Sequence, residues 1–221
     1  MPRCLVFDLD GTLVDSVPDL AACLNRLLAS RRLAPLALPE VAAMVGDGVG
    51  VLLDRAFAAR GTTPDAAAAG DYTADYAAHV ADATRPYPGI ADLLASAQAD
   101  GWHMAVCTNK PEALAHAVLA ATGLDRFFAA VGGGDSFPVR KPDPAHMLAT
   151  LAAAGASPRQ ALMLGDHRND ILAAAGAGMK CIFAAWGYSP VSAGQAAAAV
   201  AHSAAEVLPL ARRLLVDHSP A

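Results

Sequence analysis

Lysine is scarce in this chain: only Lys110, Lys141 and Lys180 occur among 221 residues, so chemistry that needs an ammonium group has few candidates. Also missing is an uninterrupted apolar stretch of the roughly 20 residues that a membrane helix requires. The hydrophobic fraction of 55% owes much to alanine, and a soluble globular protein with no membrane partner is expected. No Lys/Arg cluster accompanies the net charge of −5, which argues against nucleic acid or an anionic membrane surface and leaves a small molecule as the default partner. Cys4, Cys23, Cys107 and Cys181 are widely separated, with neither CxxC spacing nor the density of a disulfide scaffold. They are read as buried thiols in a reducing cytoplasm. After Met1-Pro2-Arg3 the chain runs into a strand-like segment ending in acidic residues, where a secretory leader would stay apolar and finish at small residues, so no export is expected.

What is present is an alternation of strands and helices. Short apolar runs at residues 4–9, 102–107, 127–131, 161–164 and 179–184 have the length of buried strands. Asp143-Pro144 and Ser157-Pro158 read as helix starts, a cap followed by proline in the first turn. The expected fold class is α/β, a Rossmann-like parallel sheet with helices on both faces. The interval after the first strand is too long for one crossover and reads as helices around residues 20–31, 49–60 and 64–83. A small α-helical cap domain at residues 15–85, inserted after the first strand, is therefore expected, with residues 1–14 and 86–221 as the core. Residues 66–69 and 197–199 are alanine-rich and are read as helical.

Asp8-Leu9-Asp10-Gly11-Thr12-Leu13-Val14-Asp15-Ser16 follows the first strand directly. In an open α/β sheet ligands bind beyond the carboxyl ends of the strands, and Gly11 supplies the turn that lets Asp8 and Asp10 face one crevice. Alone, the segment is equally an acidic strand exit with solvated carboxylates. Thr108-Asn109, Lys141-Pro142 and Gly165-Asp166-His167-Arg168-Asn169-Asp170 open on the same sheet edge. They add a hydroxyl, an amide, a cation and two further carboxylates. Four carboxylates in one crevice repel unless neutralised, and an all-oxygen set favours Mg²⁺.

Together these segments resemble the four motifs of the haloacid dehalogenase superfamily, in order and over essentially the whole chain. The closer resemblance is to its phosphoglycolate phosphatases, carried by Val45-Gly46-Asp47-Gly48-Val49, Pro86-Tyr87-Pro88-Gly89, Thr108-Asn109-Lys110-Pro111, Gly133-Gly134-Asp135, Lys141-Pro142-Asp143-Pro144 and residues 165–171. The resemblance implies Mg²⁺-dependent hydrolysis of a small phosphate monoester, 2-phosphoglycolate first, through an aspartyl-phosphate. Asp8 would be the nucleophile, Asp10 the acid and base, and Lys141 the cation that offsets phosphate and carboxylate charge. Thr108 and Asn109 would hold phosphate oxygens. Asp8, Asp166, Asp170 and the Asp10 backbone carbonyl would serve the metal. Gly46, Asp47 and Gly48 would form a substrate loop, and Arg55 is a candidate contact for a substrate carboxylate, with a plain exposed helical arginine as its alternative.

Lys110 is assigned a capping or rim role, and His167, where the resembled pattern more often has serine, is read as a rim residue rather than a catalytic one. Residues 132–134 are read as a loop lining the site, since no GxGxxG opens a helix there. Residues 16–84 contain no lysine for a Schiff base, which excludes a phosphonate-cleaving relative. Other readings are a sugar phosphomutase of the β-phosphoglucomutase kind, a phosphatase for a sugar phosphate, nucleotide or pyrophosphate, and a binding module without turnover. Monomer and homo-oligomer are both left open.

Overall fold

The computed structural model describes residues 2–216. Strand β1 (Cys4–Phe7) is buried throughout and leads through a turn at Gly11 (φ +84°) into the short β2 (Val14–Asp15). Four helices follow: α1 (Val17–Ser30), α2 (Leu38–Ala42), α3 (Val49–Ala58) and α4 (Ala68–Ala78). The chain returns through β3 (Arg85–Pro86), which pairs antiparallel with β2. Beyond it come α5 (Ile90–Ala99), β4 (His103–Cys107), α6 (Glu112–Ala121), β5 (Ala130–Gly132) and α7 (Pro144–Ala153). The chain continues through β6 (Ala161–Gly165), α8 (Arg168–Gly176), β7 (Lys180–Ala184), β8 (Ala199–Ala201) and α9 (Ala204–Val216).

Six strands form one parallel sheet in the order β5-β4-β1-β6-β7-β8, with Phe7 opposite Val106 on one side and Leu164 on the other. Residue alternation assigns the two faces. Leu5, Phe7, Met104, Val106, Leu162, Leu164 and Ile182 pack on one side with residues of α5 and α9. Cys4, Val6, Cys107, Met163, Cys181 and Phe183 pack on the other with residues of α7 and α8. Both faces are apolar because both are covered. Three of the four cysteines fill this second face as small hydrophobes, the fourth, Cys23, is buried among the four inserted helices, and all four are free thiols.

The inserted helices have a core of their own. Leu20, Leu24, Leu27 and Leu28 form the inner stripe of α1 at helical spacing and meet Leu53, Phe57, Tyr72 and Tyr76. Each such side chain contributes about 1.5–3 kcal/mol when fully buried, enough in sum to hold the helices together beside the sheet. Asp19 of α1 closes the base of this unit: its carboxylate accepts from Ala83 N (2.9 Å), Thr84 N (2.7 Å) and Thr84 Oγ1 (2.6 Å).

Several local expectations are corrected. Residues 125–127 form a 3-10 turn and the strand begins only at Ala130; Phe127 is apolar because it plugs the core from that turn. Ser157-Pro158 opens a single 3-10 turn (Pro158–Gln160) rather than an α-helix. The alanine-rich 197–199 stretch is not helical: Ala199 begins β8, because the free edge of β7 offers backbone partners that outweigh alanine's helical preference. Of residues 66–69, helix α4 takes only the last two, and the small helix α2 was not expected. Among the described residues no helix is long and apolar enough to cross a membrane.

Candidate active site

Asp8 stands one residue beyond β1, with its N–H bonded to Leu164 O of β6 (2.9 Å). Asp166 follows β6, Asp170 lies in the first turn of α8, Thr108 follows β4, and Lys141 comes between β5 and α7. Parallel strands ending together bring these residues to one edge of the sheet. The Lys141 ammonium is wholly buried, 3.0 Å from Asp8 Oδ1 and 2.6 Å from Asp170 Oδ1. Burial alone would push its pKa down, but Asp170 and Asp8 hold it well above the usual lysine value.

Carboxylate oxygens of Asp8, Asp166 and Asp170 lie within 4.8 Å of one another. Burial, then the Asp8 and Asp170 charges, push the Asp166 carboxyl up to about 8. Burial likewise raises Asp8 to about 6 despite Lys141 beside it. One ammonium against three buried carboxylates leaves the cluster short of positive charge. Asp8 Oδ1 also accepts from Leu9 N (2.7 Å), while Asp166 accepts from Thr12 Oγ1 (2.9 Å) and Tyr188 N (2.8 Å). These bonds fix the carboxylates in place and leave oxygen lone pairs facing one another. Such an oxygen-only donor set fits a hard divalent cation such as Mg²⁺. Gly165 and Gly187 make room for these side chains, since a Cβ on Gly165 would lie 2.2 Å from an atom of Asp170 and one on Gly187 2.2 Å from an atom of Asp166.

A family model described as "Hydrolase: haloacid dehalogenase-like hydrolase" matches residues 2–178. The chain belongs to this family. It is 43% identical over 190 residues to a phosphoglycolate phosphatase of Agrobacterium fabrum, covering 84% of this chain and 82% of that one. It is 38% identical to a phosphoglycolate phosphatase of Mesorhizobium japonicum, covering 96% of each. The crystal structure of a predicted phosphoglycolate phosphatase from Haemophilus somnus superposes with a TM-score of 0.86 at 31% identity, covering 94% of this chain and 97% of that one. The expectations of a haloacid dehalogenase-like enzyme, a hydrolase, and of a parallel α/β fold stand.

The rest of the site departs from several readings of the sequence. Lys110 is neither a cap nor a rim residue: its buried ammonium lies 3.0 and 3.1 Å from the two oxygens of Asp10 and 4.5 Å above the Tyr76 ring. Asp10 also accepts from Ser16 Oγ (2.6 Å), and its carboxylate is not among those that lie within 4.8 Å of one another. Thr108 and Asn109 border a cavity of about 520 Å³ with Asp8, Asp10, Gly46 and Gly48. The Asn109 amide nitrogen, however, donates to Gly46 O (2.9 Å) and Lys141 O (3.0 Å).

Asp47 and Arg55 do not border this cavity. The Asp47 carboxylate accepts from Arg55 Nη2 (2.6 Å) and Asn169 Nδ2 (2.7 Å), and these bonds hold it below the usual carboxylate range against the opposing effect of burial. Arg55 spends its other bond on Met44 O (2.9 Å). Together they brace the 46–48 loop, and the sequence could not show this because Asn169 lies 122 positions away. His167 caps α8 through Nδ1, which accepts from Asn169 N (3.3 Å), and its ring lies against Gly46, where a Cβ would come within 2.8 Å. Burial lowers its pKa. Gly134 lies against the Asn109 carbonyl, behind the cavity wall.

Thr12, Ser16, Asn169 and Tyr188 were not singled out from the sequence. Thr12 and Ser16 stand within the acidic segment that was, so their hydroxyls were legible there. Nothing in the sequence marks Tyr188, whose hydroxyl accepts from Ser16 N (2.8 Å) and Val17 N (3.2 Å) and meets Asp15 Oδ1 at 3.1 Å.

Proposed function

We propose that this haloacid dehalogenase-like hydrolase is a Mg²⁺-dependent phosphatase that cleaves a small phosphate monoester, 2-phosphoglycolate first, through an aspartyl-phosphate on Asp8. The observation that carries this is the meeting of Asp8, Asp166 and Asp170 around the buried Lys141 ammonium, with Asp10 lining the same cavity as Asp8. Phosphoryl transfer is governed by positioning and charge neutralisation, and this cluster offers both. Asp8, Asp166 and Asp170 would hold the ion, with the Asp10 carbonyl; when bound it supplies positive charge to the phosphoryl oxygens.

Asp8 Oδ1 is occupied by Leu9 N and Lys141, so Oδ2 is the oxygen free to attack. It forms the new O–P bond as the bond from phosphorus to the substrate oxygen breaks, and that oxygen takes a proton from Asp10. Water then attacks phosphorus and gives its proton to Asp10; the Asp8 O–P bond breaks and inorganic phosphate leaves. Lys141 balances charge throughout, and Thr108 holds a phosphate oxygen. The helical unit at residues 15–85 acts as the cap, with the backbone of Gly46 and Gly48 against the substrate.

Relatives named phosphoglycolate phosphatase support the choice of substrate. So does the small number of polar groups in a cavity wall that also carries Leu20, Val45, Val49 and Leu52, which suits a small substrate. Four free buried thiols accord with a reducing cytoplasm. The test is a phosphate-release panel over small metabolite phosphates with Mg²⁺, ranked by kcat/KM, with D8N as control. D8N is expected to fold normally and lose roughly 10³-fold or more in kcat. Appreciable turnover by folded D8N would remove Asp8 from the mechanism.

A further inference from the structure

Two tyrosines on the cap side of the cavity have no part in the chemistry above. Tyr72 and Tyr76 of α4 border the same space as Asp8 and Asp10, each is 1% exposed, and their rings are parallel with centroids 6.1 Å apart. Neither phenol oxygen has a hydrogen-bond partner in the protein. A buried hydroxyl left unmatched disfavours the fold, and two of them on one helix at one cavity call for an explanation. Beside them lies Lys110, with two of its three ammonium protons directed at Asp10 and its charge over the Tyr76 ring. Otherwise the cap side of this cavity is apolar, formed by Leu20, Val49 and Leu52, with Leu114 of α6 closing it.

We propose that Tyr72, Tyr76 and Lys110 form the recognition site for the carboxylate at the non-reacting end of the substrate. The inference rests on the phosphatase reading and gives its selectivity a location. A phosphate seated at Asp8 puts the ester oxygen beside Asp10. One or two carbons further, a carboxylate reaches Lys110, and two phenol O–H groups can donate to its oxygens. A small number of placed polar groups in an apolar wall is how a pocket fixes orientation. The arrangement also selects against a second phosphate, because Lys110 is the only cation bordering this cavity among the described residues and it is already shared with Asp10. Arg55, committed to Asp47 and Met44, takes no part.

Because Lys110 also holds Asp10, the tyrosine hydroxyls carry the test. Y72F and Y76F keep the stacked rings and remove only the donors. The measurement is kcat/KM for 2-phosphoglycolate and for ethyl phosphate, which has the same two-carbon ester without the carboxylate, together with the melting temperature of the unligated protein. The wild type is expected to prefer 2-phosphoglycolate. Each variant should lose about tenfold or more on that substrate, mainly through KM, and stay within about twofold on ethyl phosphate. Unligated Y72F and Y76F should melt at or above the wild-type temperature, since each loses an unmatched buried group. A wild type without preference overturns the substrate reading and this inference with it. A wild-type preference that survives in both variants overturns the inference alone. A lowered melting temperature would show that the hydroxyls serve the fold and would also overturn it.

Discussion

The charge on a single residue, Asp166, links the site to pH. Its carboxyl sits near a pKa of about 8 in the fold, against an ordinary value of 3.8, because it is buried beside Asp8 and Asp170. An unfolded chain gives up this proton near the ordinary value, whereas the folded one keeps it. The metal-free fold therefore loses stability as pH rises from about 4 towards 8. Asp8, raised to about 6, acts in the same direction over a narrower window. A divalent ion takes the place of those protons, so its apparent affinity should weaken about tenfold per pH unit below 8. The rise in melting temperature on adding excess Mg²⁺ should accordingly be larger near pH 8 than near pH 6. Equal rises at both values would mean that the ion does not bind at Asp166 and Asp8.

Between elements, the base of the cap is held by side chains that reach across the chain. Asp19 of α1 gathers the Ala83 and Thr84 amides and the Thr84 hydroxyl just before β3, and Tyr188 holds Ser16 and Val17 at the start of α1. Removing the Asp19 carboxylate leaves three donors without an acceptor, the two of Thr84 buried, each lost buried bond costing about 1–3 kcal/mol before relaxation. D19A should lower stability by about 2–4 kcal/mol in chemical denaturation and speed proteolytic cleavage at residues 83–86. Unchanged cleavage there would mean that β2 and β3 alone hold the linkers. The sequence showed the helical insertion because its stripes, such as Leu20, Leu24 and Leu28, are local. It hid the Asp19 clasp because that depends on where residue 84 returns. For the same reason residues 197–199 were read as helical: the strand that begins at Ala199 comes from the open edge of β7, not from its own alanines. The clustered acids were legible because Asp8 and Asp166 each follow a strand directly and Asp170 opens the next helix. Lys110 was not, because its role depends on Asp10 and Tyr76, which lie 100 and 34 positions away in the chain.

At the scale of the whole molecule, the inserted helices and the sheet unit meet at the 46–48 loop, which stands between two clefts that share Asp8, Asp10, Val45 and Gly46. One cleft runs into the cap; the other, about 510 Å³, runs past His167 and Tyr188. Three contacts hold the loop down: Asn109 to Gly46 O, Asn169 to Asp47, and the His167 ring against Gly46. On the proposed reading the loop lifts to admit substrate, and these contacts then hold it down over the bound substrate during turnover. Arg55 acts on that equilibrium through Asp47 rather than on the substrate. R55A and N169A should therefore each lower kcat/KM by about tenfold on 2-phosphoglycolate and on ethyl phosphate alike, because both weaken one latch. Amide exchange at residues 45–49 should quicken in each variant. The double variant should cost less than the sum of the two, since Arg55 and Asn169 share the Asp47 carboxylate. A loss in R55A confined to 2-phosphoglycolate would instead put the Arg55 guanidinium on the substrate carboxylate and return it to the role first read from the sequence.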